Sequence, residues 1–409
     1  MPDIPADRAP DATLQLRADP YRFISARCRA HGSDLFATRV LMEPAICLHG
    51  AAAAELFYDT DRFRRAGALP GRIRKLLFGE GGVQGLDGAV HAHRKAMHLS
   101  FMTPERMAEM ETLLLDKLRI RAAAWEERGT VEMHDALVGL VADVAATWCG
   151  LGPEPDMTRR RDQLQSMFEQ AGSAGPVYWA ARLDRRRADT WARDLVDAVR
   201  AGLATPPADS PLAIIADWRD AEGALLSPEV AGVEFLNVLR PITAVGDWLV
   251  FVLHALAVEE APDTDDASLK RFVTEVRRLY PFFPMLGART TRAVEWQGHA
   301  FPADRLVLLD VWGTNRDPRV WDDPDRFAPS RFEGHTPGPF EMIPQGGGDH
   351  ATGHRCSGEW LTERMMRVAA RFFVEELDWD VPEQKLDLDY RRLPGLPRGG
   401  MPLSRIARR

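Results

Sequence analysis

The sequence predicts a mainly α fold with small peripheral β-sheets, and three observations predict it. Apolar residues recur at three- and four-residue spacing from about Thr103 to Glu259, the repeat of helices with one buried face. Extended patterns are short and lie outside that stretch, as in DLFATRV and PAICLHG near the start and several pieces after Gly287. No repeat or low-complexity linker divides the chain, so residues 1–409 read as one domain, with the Pro- and Asp-rich segment 1–12 expected to be flexible.

At 409 residues and 45% hydrophobic, the chain can bury a large core. A net charge of −8 gives no support for nucleic-acid or anionic-membrane binding. The N-terminus lacks the basic and apolar regions of a secretory signal. Cys28, Cys47, Cys149 and Cys356 are far apart and form no CxxC pair, which argues against a zinc module and for a reducing, cytoplasmic setting.

The elements follow in chain order. PERMAEMETLLLDKLRIRAAAWEER and ALVGLVADVAATWCGL carry the helical repeat. The longest helical candidate is SPEVAGVEFLNVLRPITAVGDWLVFVLHALAVEE, with Ser227 as N-cap and Pro228 at its first position. Its apolar core, WLVFVLHALAV, is about half the length needed to span a bilayer, so no membrane span is expected. In TEVRRLYPFFP, Glu275 and Arg278 stand three apart on one helix face, a spacing that usually marks a solvated pair. A Pro-rich loop, DPRVWDDPDRFAPSRF, precedes PQGGGDHATGHRCSGEW and the helical SGEWLTERMMRVAARFFVEEL. Cys356 therefore sits beside His354 and Arg355 and near a helix N-terminus, which all favour a thiolate. A thiolate is either a nucleophile or a metal ligand.

Glu-x-x-Arg, then DPDRF, then a Gly-rich cysteine loop, in that order, resembles the heme-thiolate cytochrome P450 superfamily. The resemblance implies a single-domain fold with heme b buried between the long central helix and the cysteine loop. It makes Cys356 the proximal thiolate ligand of the iron. It turns Glu275 and Arg278 into a buried structural pair, with Arg326 or Arg331 as third partner. The usual loop places Phe seven residues before the cysteine, Gly four before and a basic residue two before; here those positions hold Asp349, Thr352 and His354, while Gly358 keeps its place. This longer loop, with FYDTDRF, ALPGRIRKLLFG, VQGLDGAVHAHRK and NVLRP, is similar to the bacterial fatty-acid peroxygenases and the related fatty-acid decarboxylases.

Within the long helix, the acid–alcohol pair of oxygen-activating relatives is replaced by Arg240 and Pro241. Mid-helix proline costs about 3 kcal/mol, and a guanidinium among apolar residues needs a partner. The resemblance supplies one: a fatty-acid carboxylate, held bidentately, which relays protons to hydrogen peroxide without a redox partner. Gln84, where decarboxylating relatives favour His, points to 2- or 3-hydroxylation over alkene formation. His91 and Lys95, with His354 or Arg355, are expected at the heme propionates. Phe78, Phe168 and Phe282 are expected to line the acyl channel, and Ala171 falls where relatives carry Phe. The competing readings are a decarboxylase, a redox-partner-dependent hydroxylase of another acid, and a heme sensor or carrier.

Overall fold

The computed structural model describes residues 3–152 and 157–409. Its helices run in order through Thr13–Ala18, Phe23–His31, Ala51–Phe57, Gly71–Leu77, Gly88–Ser100, Pro104–Arg128, Met133–Trp148, Met157–Glu169, Pro176–Arg200 and Pro211–Asp217. Pro228–Thr243, Val245–Val258, Asp266–Leu279, the single turn Val311–Thr314 and Glu359–Glu375 complete them. Three of these begin with a hydroxyl cap followed by proline. Thr103, Ser210 and Ser227 accept from the backbone N–H groups of Arg106, Ala213 and Val230, and a proline stands in each first turn. Proline loses nothing there, because the first N–H groups of a helix have no internal acceptor.

Pro228–Thr243 and Val245–Val258 form one central rod interrupted at Ala244. Pro241 has no N–H, so the carbonyl of Asn237 loses its helical donor, and the rod breaks one turn later. Over its 31 residues the rod is long and apolar enough to cross a membrane, more than the eleven-residue core suggests, yet 78% of its apolar window is buried against the protein. It is a core helix. Gly232 and Gly246 allow the close crossings: a Cβ would lie 2.8 Å from the backbone N of Arg193 and 2.7 Å from the Cα of Val138, respectively.

A five-stranded sheet orders Leu35–Val40, Glu43–Leu48, Leu306–Asp310, Met285–Thr290 and Phe63–Arg64, with only the second and third strands parallel. Thr130–Glu132, Pro402–Arg408 and Leu377–Asp380 form a second sheet, and Val294–Trp296 pairs with His299–Phe301. The segment 1–12, expected to be flexible, is instead tied down from Ala6 onward. Ala6 bridges to Ala37, Arg27 Nε bonds Asp7 at 2.7 Å, and Ala12 is fully buried. Met1 and Pro2 lie outside the described residues.

Glu275 and Arg278 are wholly buried, with Arg278 Nε and one terminal nitrogen 2.7 and 2.8 Å from the two carboxylate oxygens. The third partner is Arg331, whose Nε lies 3.1 Å from Glu275; Arg326 contributes only its backbone carbonyl, 3.3 Å from Arg278. Arg278 also donates to the carbonyls of Asn315 and Pro324, which clamps the Asp266–Leu279 helix to the Pro-rich loop. The solvated alternative suggested by the i,i+3 spacing is therefore not the one realised.

Candidate active site

The cysteine loop is shaped by its glycines. Gly346 has φ +95°, a conformation that excludes most side chains, and a Cβ on Gly347 would stand 2.7 Å from Ile343 Cγ2. The loop closes through Cys356 N–H to Gln345 O at 3.0 Å and Gly348 N–H to Pro339 O at 3.0 Å. Glu359, in the first turn of the following helix, holds Arg355 bidentately at 2.6 and 3.1 Å and also bonds the buried Arg277. Lys95 reaches across from the Gly88–Ser100 helix to the carbonyls of Gly353 and Arg355, the latter at 2.8 Å.

Burial is the largest influence on Cys356 and holds its thiol above the ordinary value, contrary to the thiolate expectation. The Gly358 N–H, Lys95 and Arg277 oppose it without prevailing. A thiolate here requires a cation against sulfur, which metal ligation provides. Cys28, Cys47 and Cys149 are buried and unpaired, with thiols pushed up by the same cause.

Cys356 opens into a cavity of about 310 Å³ under the kinked rod. Arg240, Pro241, Gln84, Phe78, Phe168 and Phe282 line the same cavity. His91, Lys95, His354 and Arg355 line it as well. Ala171 is buried just past Phe168 but is not part of the cavity wall. Phe282 lies 5.7 Å from Phe168 and stacks face to face on Trp248 at 4.4 Å.

Arg240 is nearly fully buried, and its side chain makes no hydrogen bond or ion pair among the described residues. Its Nε is orphaned, and its nearest aromatic contact is Phe78, 5.7 Å from the guanidinium carbon. Burial, with Arg185 adding repulsion, pushes its pKa down to about 9. Gln84 Oε1 and Asn237 Oδ1 are also buried without partners among the described residues. His91 stacks on His354 at 3.9 Å, and burial, His354 and Lys95 push its pKa down to about 3, so its ring is neutral. Burial brings Lys95 down to about 8, against the attraction of Cys356. His354 leans on Asp87 at 3.4 Å.

Several supporting residues escaped sequence reasoning. Glu234, fully buried in the rod, takes Arg94 at 2.7 Å and His98 at 3.0 Å, pinning the Gly88–Ser100 helix in place. Asn237 donates to Phe78 O at 3.0 Å. The only signal was a lone acid and a lone amide inside an apolar helix, EFLNVLRP.

A cysteine loop and a kinked, buried rod that line one cavity together with basic side chains define a heme-thiolate site. The chain belongs to the cytochrome P450 family, and residues 267–399 match that family's sequence pattern. Among solved structures it is similar to cytochrome P450SP alpha (CYP152B1) in complex with (R)-ibuprofen, at 43% identity over 98% of this chain and 99% of that one, TM-score 0.94. Cytochrome P450EX alpha (CYP152N1) with myristic acid is 37% identical over the whole of both chains, TM-score 0.95. A variant of cytochrome P450 OleT with arachidonic acid is 31% identical over 100% of this chain and 99% of that one, TM-score 0.95. Among curated sequences, cytochrome P450 71B4 of Arabidopsis thaliana is 33% identical over 30% of this chain, a match spanning only 24% of that relative. Putative cytochrome P450 139 of Mycobacterium bovis is 25% identical over 73% of this chain and 77% of its own length.

The residues present fit heme. Cys356 would supply the thiolate, and the buried Nε of Arg240 and Oε1 of Gln84, without partners among the described residues, mark the cavity as one built for a ligand. Lys95, His91 and His354 also line the cavity and would offer donors to the propionates.

Proposed function

We propose that the protein is a fatty-acid peroxygenase that hydroxylates its substrate at the α or β carbon with hydrogen peroxide. The carrying observation is Arg240, a charged guanidinium buried in the aromatic-lined cavity it shares with Cys356, with no partner among the described residues. Such a charge is costly unless a ligand completes it, and a carboxylate matches its fork. Heme held by Cys356 supplies peroxide activation and oxygen transfer to carbon.

The remaining work belongs to the chain's side chains. Arg240 fixes the carboxylate at one end of the cavity, and Phe78, Phe168 and Phe282 take the acyl chain. Pro241 stands where an alcohol would relay protons, so the bound carboxylate itself must accept a peroxide proton and return it to the departing oxygen. Anchoring at the carboxyl leaves only the first two carbons near the reacting face. Gln84, a neutral amide with an orphaned oxygen, cannot supply a charged donor there, which favours hydroxylation over decarboxylation. Four unpaired cysteines support a reducing, cytoplasmic setting.

Purified holoprotein given hydrogen peroxide and a mid-to-long-chain fatty acid should form 2- or 3-hydroxy acid without NADPH or a reductase, read by mass spectrometry. Product formed only with NADPH and redox proteins would transfer the protein to the redox-dependent hydroxylases.

A further inference from the structure

The net charge of −8 hides a local surface of the opposite sign. The Pro176–Arg200 helix exposes Trp179 (68%) and Leu183 (48%) at i and i+4, with Arg186 and Arg187 continuing the same outer face. Val177, in the first turn, is 53% exposed. The Gly71–Leu77 helix joins this surface. Tyr178 Oη donates to Arg72 O at 3.1 Å, the Arg72 guanidinium lies 4.6 Å from the Tyr178 ring centre, and Arg182 donates to Lys75 O at 2.6 Å. Around the apolar side chains, Arg72, Arg74, Lys75, Arg182, Arg186 and Arg187 outnumber the carboxylates Glu80 and Asp184, while Asp189 is engaged by the buried Arg185.

We infer that this face docks the protein on an anionic lipid bilayer. Tryptophan beside aliphatic side chains, ringed by arginine and lysine, is the composition of elements that lie in a membrane interface. A protein partner requires a shaped patch of about 800 Å² per side, whereas a bilayer accepts a few projecting apolar side chains with complementary charge. The molecule as a whole carries a net charge of −8, so attraction to an anionic surface depends on a local excess of cations such as this one and acts within a Debye length of about 8 Å at physiological salt.

The same two elements lead to the cavity. Phe78, which closes the Gly71–Leu77 helix, is one of its walls. Lipid as the occupant draws on the fatty-acid reading, since a bilayer is where long acyl chains reside, but docking is measured without turnover and can fail or succeed independently of it.

The test is co-sedimentation of the holoprotein, without fatty acid or peroxide, with vesicles of phosphatidylcholine containing about one-third phosphatidylglycerol. The anionic vesicles should carry the protein down at low salt, pure phosphatidylcholine should not, and high salt should release it. The pair Trp179→Ser with Leu183→Ser, and separately Arg186→Glu with Arg187→Glu, should each weaken binding at least tenfold, given about one factor of five or more per interfacial cation. No binding to anionic vesicles, or binding that both pairs leave unchanged, would overturn the inference. So would a concentration-dependent dimer that Trp179→Ser dissolves, or an acidic protein that displaces the holoprotein from vesicles by occupying this face.

Discussion

Arg240 carries the most chemistry for one residue. Burial disfavours its charge, yet a guanidinium keeps its proton at neutral pH, so the uncompensated cation favours an anionic ligand. Fatty-acid binding should therefore be flat from pH 7 to 8 and weaken below about pH 5 as the free acid itself is protonated, as read by a titration of Kd against pH. Arg240→Ala should lose roughly 2–4 kcal/mol of carboxylate interaction, seen as a large rise in Kd for free acids. Gln84 is the second test at this scale. Gln84→His places a titratable donor at the cavity wall and should raise the ratio of alkene to hydroxy acid without abolishing turnover. An unchanged ratio, measured by gas chromatography, removes Gln84 from control of the product.

Among the elements, the clamp around Glu275 holds the Pro-rich loop in place behind the site. Its carboxylate accepts from Arg278, Arg331 and the backbone N–H of Ala328, the last at 2.8 Å. Glu275→Ala leaves buried guanidinium groups uncompensated and should cost about 3–5 kcal/mol, measured as a shift in the denaturation midpoint. The sequence showed an i,i+3 pair there but not its burial, because burial depends on Trp321 and on carbonyls some forty residues away. Helix starts were legible for the opposite reason: Ser227 and Pro228 act on N–H groups within one turn. The break at Ala244 followed from Pro241 for the same local cause. Arg277, Glu359 and Glu234 were missed because each looks like an ordinary surface charge until a distant element covers it. At Cys356 the sequence showed the neighbours that favour charge but not the burial that opposes them, which metal ligation must overcome.

Over the whole molecule, one cavity joins a cysteine from the last third of the chain, a rod from the middle and a basic helix from the first quarter. Motif order revealed that assembly in the sequence, while the acyl-chain wall was only partly visible. Phe78, Phe168 and Phe282 do line the cavity, but Trp248, stacked on Phe282, was not foreseen and Ala171 stands off it. The central claim is that the substrate's carboxylate, held by Arg240, completes the proton relay. The most direct measurement compares a fatty acid with its methyl ester, each with hydrogen peroxide and no NADPH, in the wild type and in Arg240→Ala. The free acid should give hydroxy acid in the wild type and little in the variant. The ester should give none, and a short carboxylic acid added as a decoy should restore peroxide-driven oxidation of a small non-acidic substrate in the wild type alone. Efficient peroxide-driven oxidation of the ester without a decoy would contradict the account.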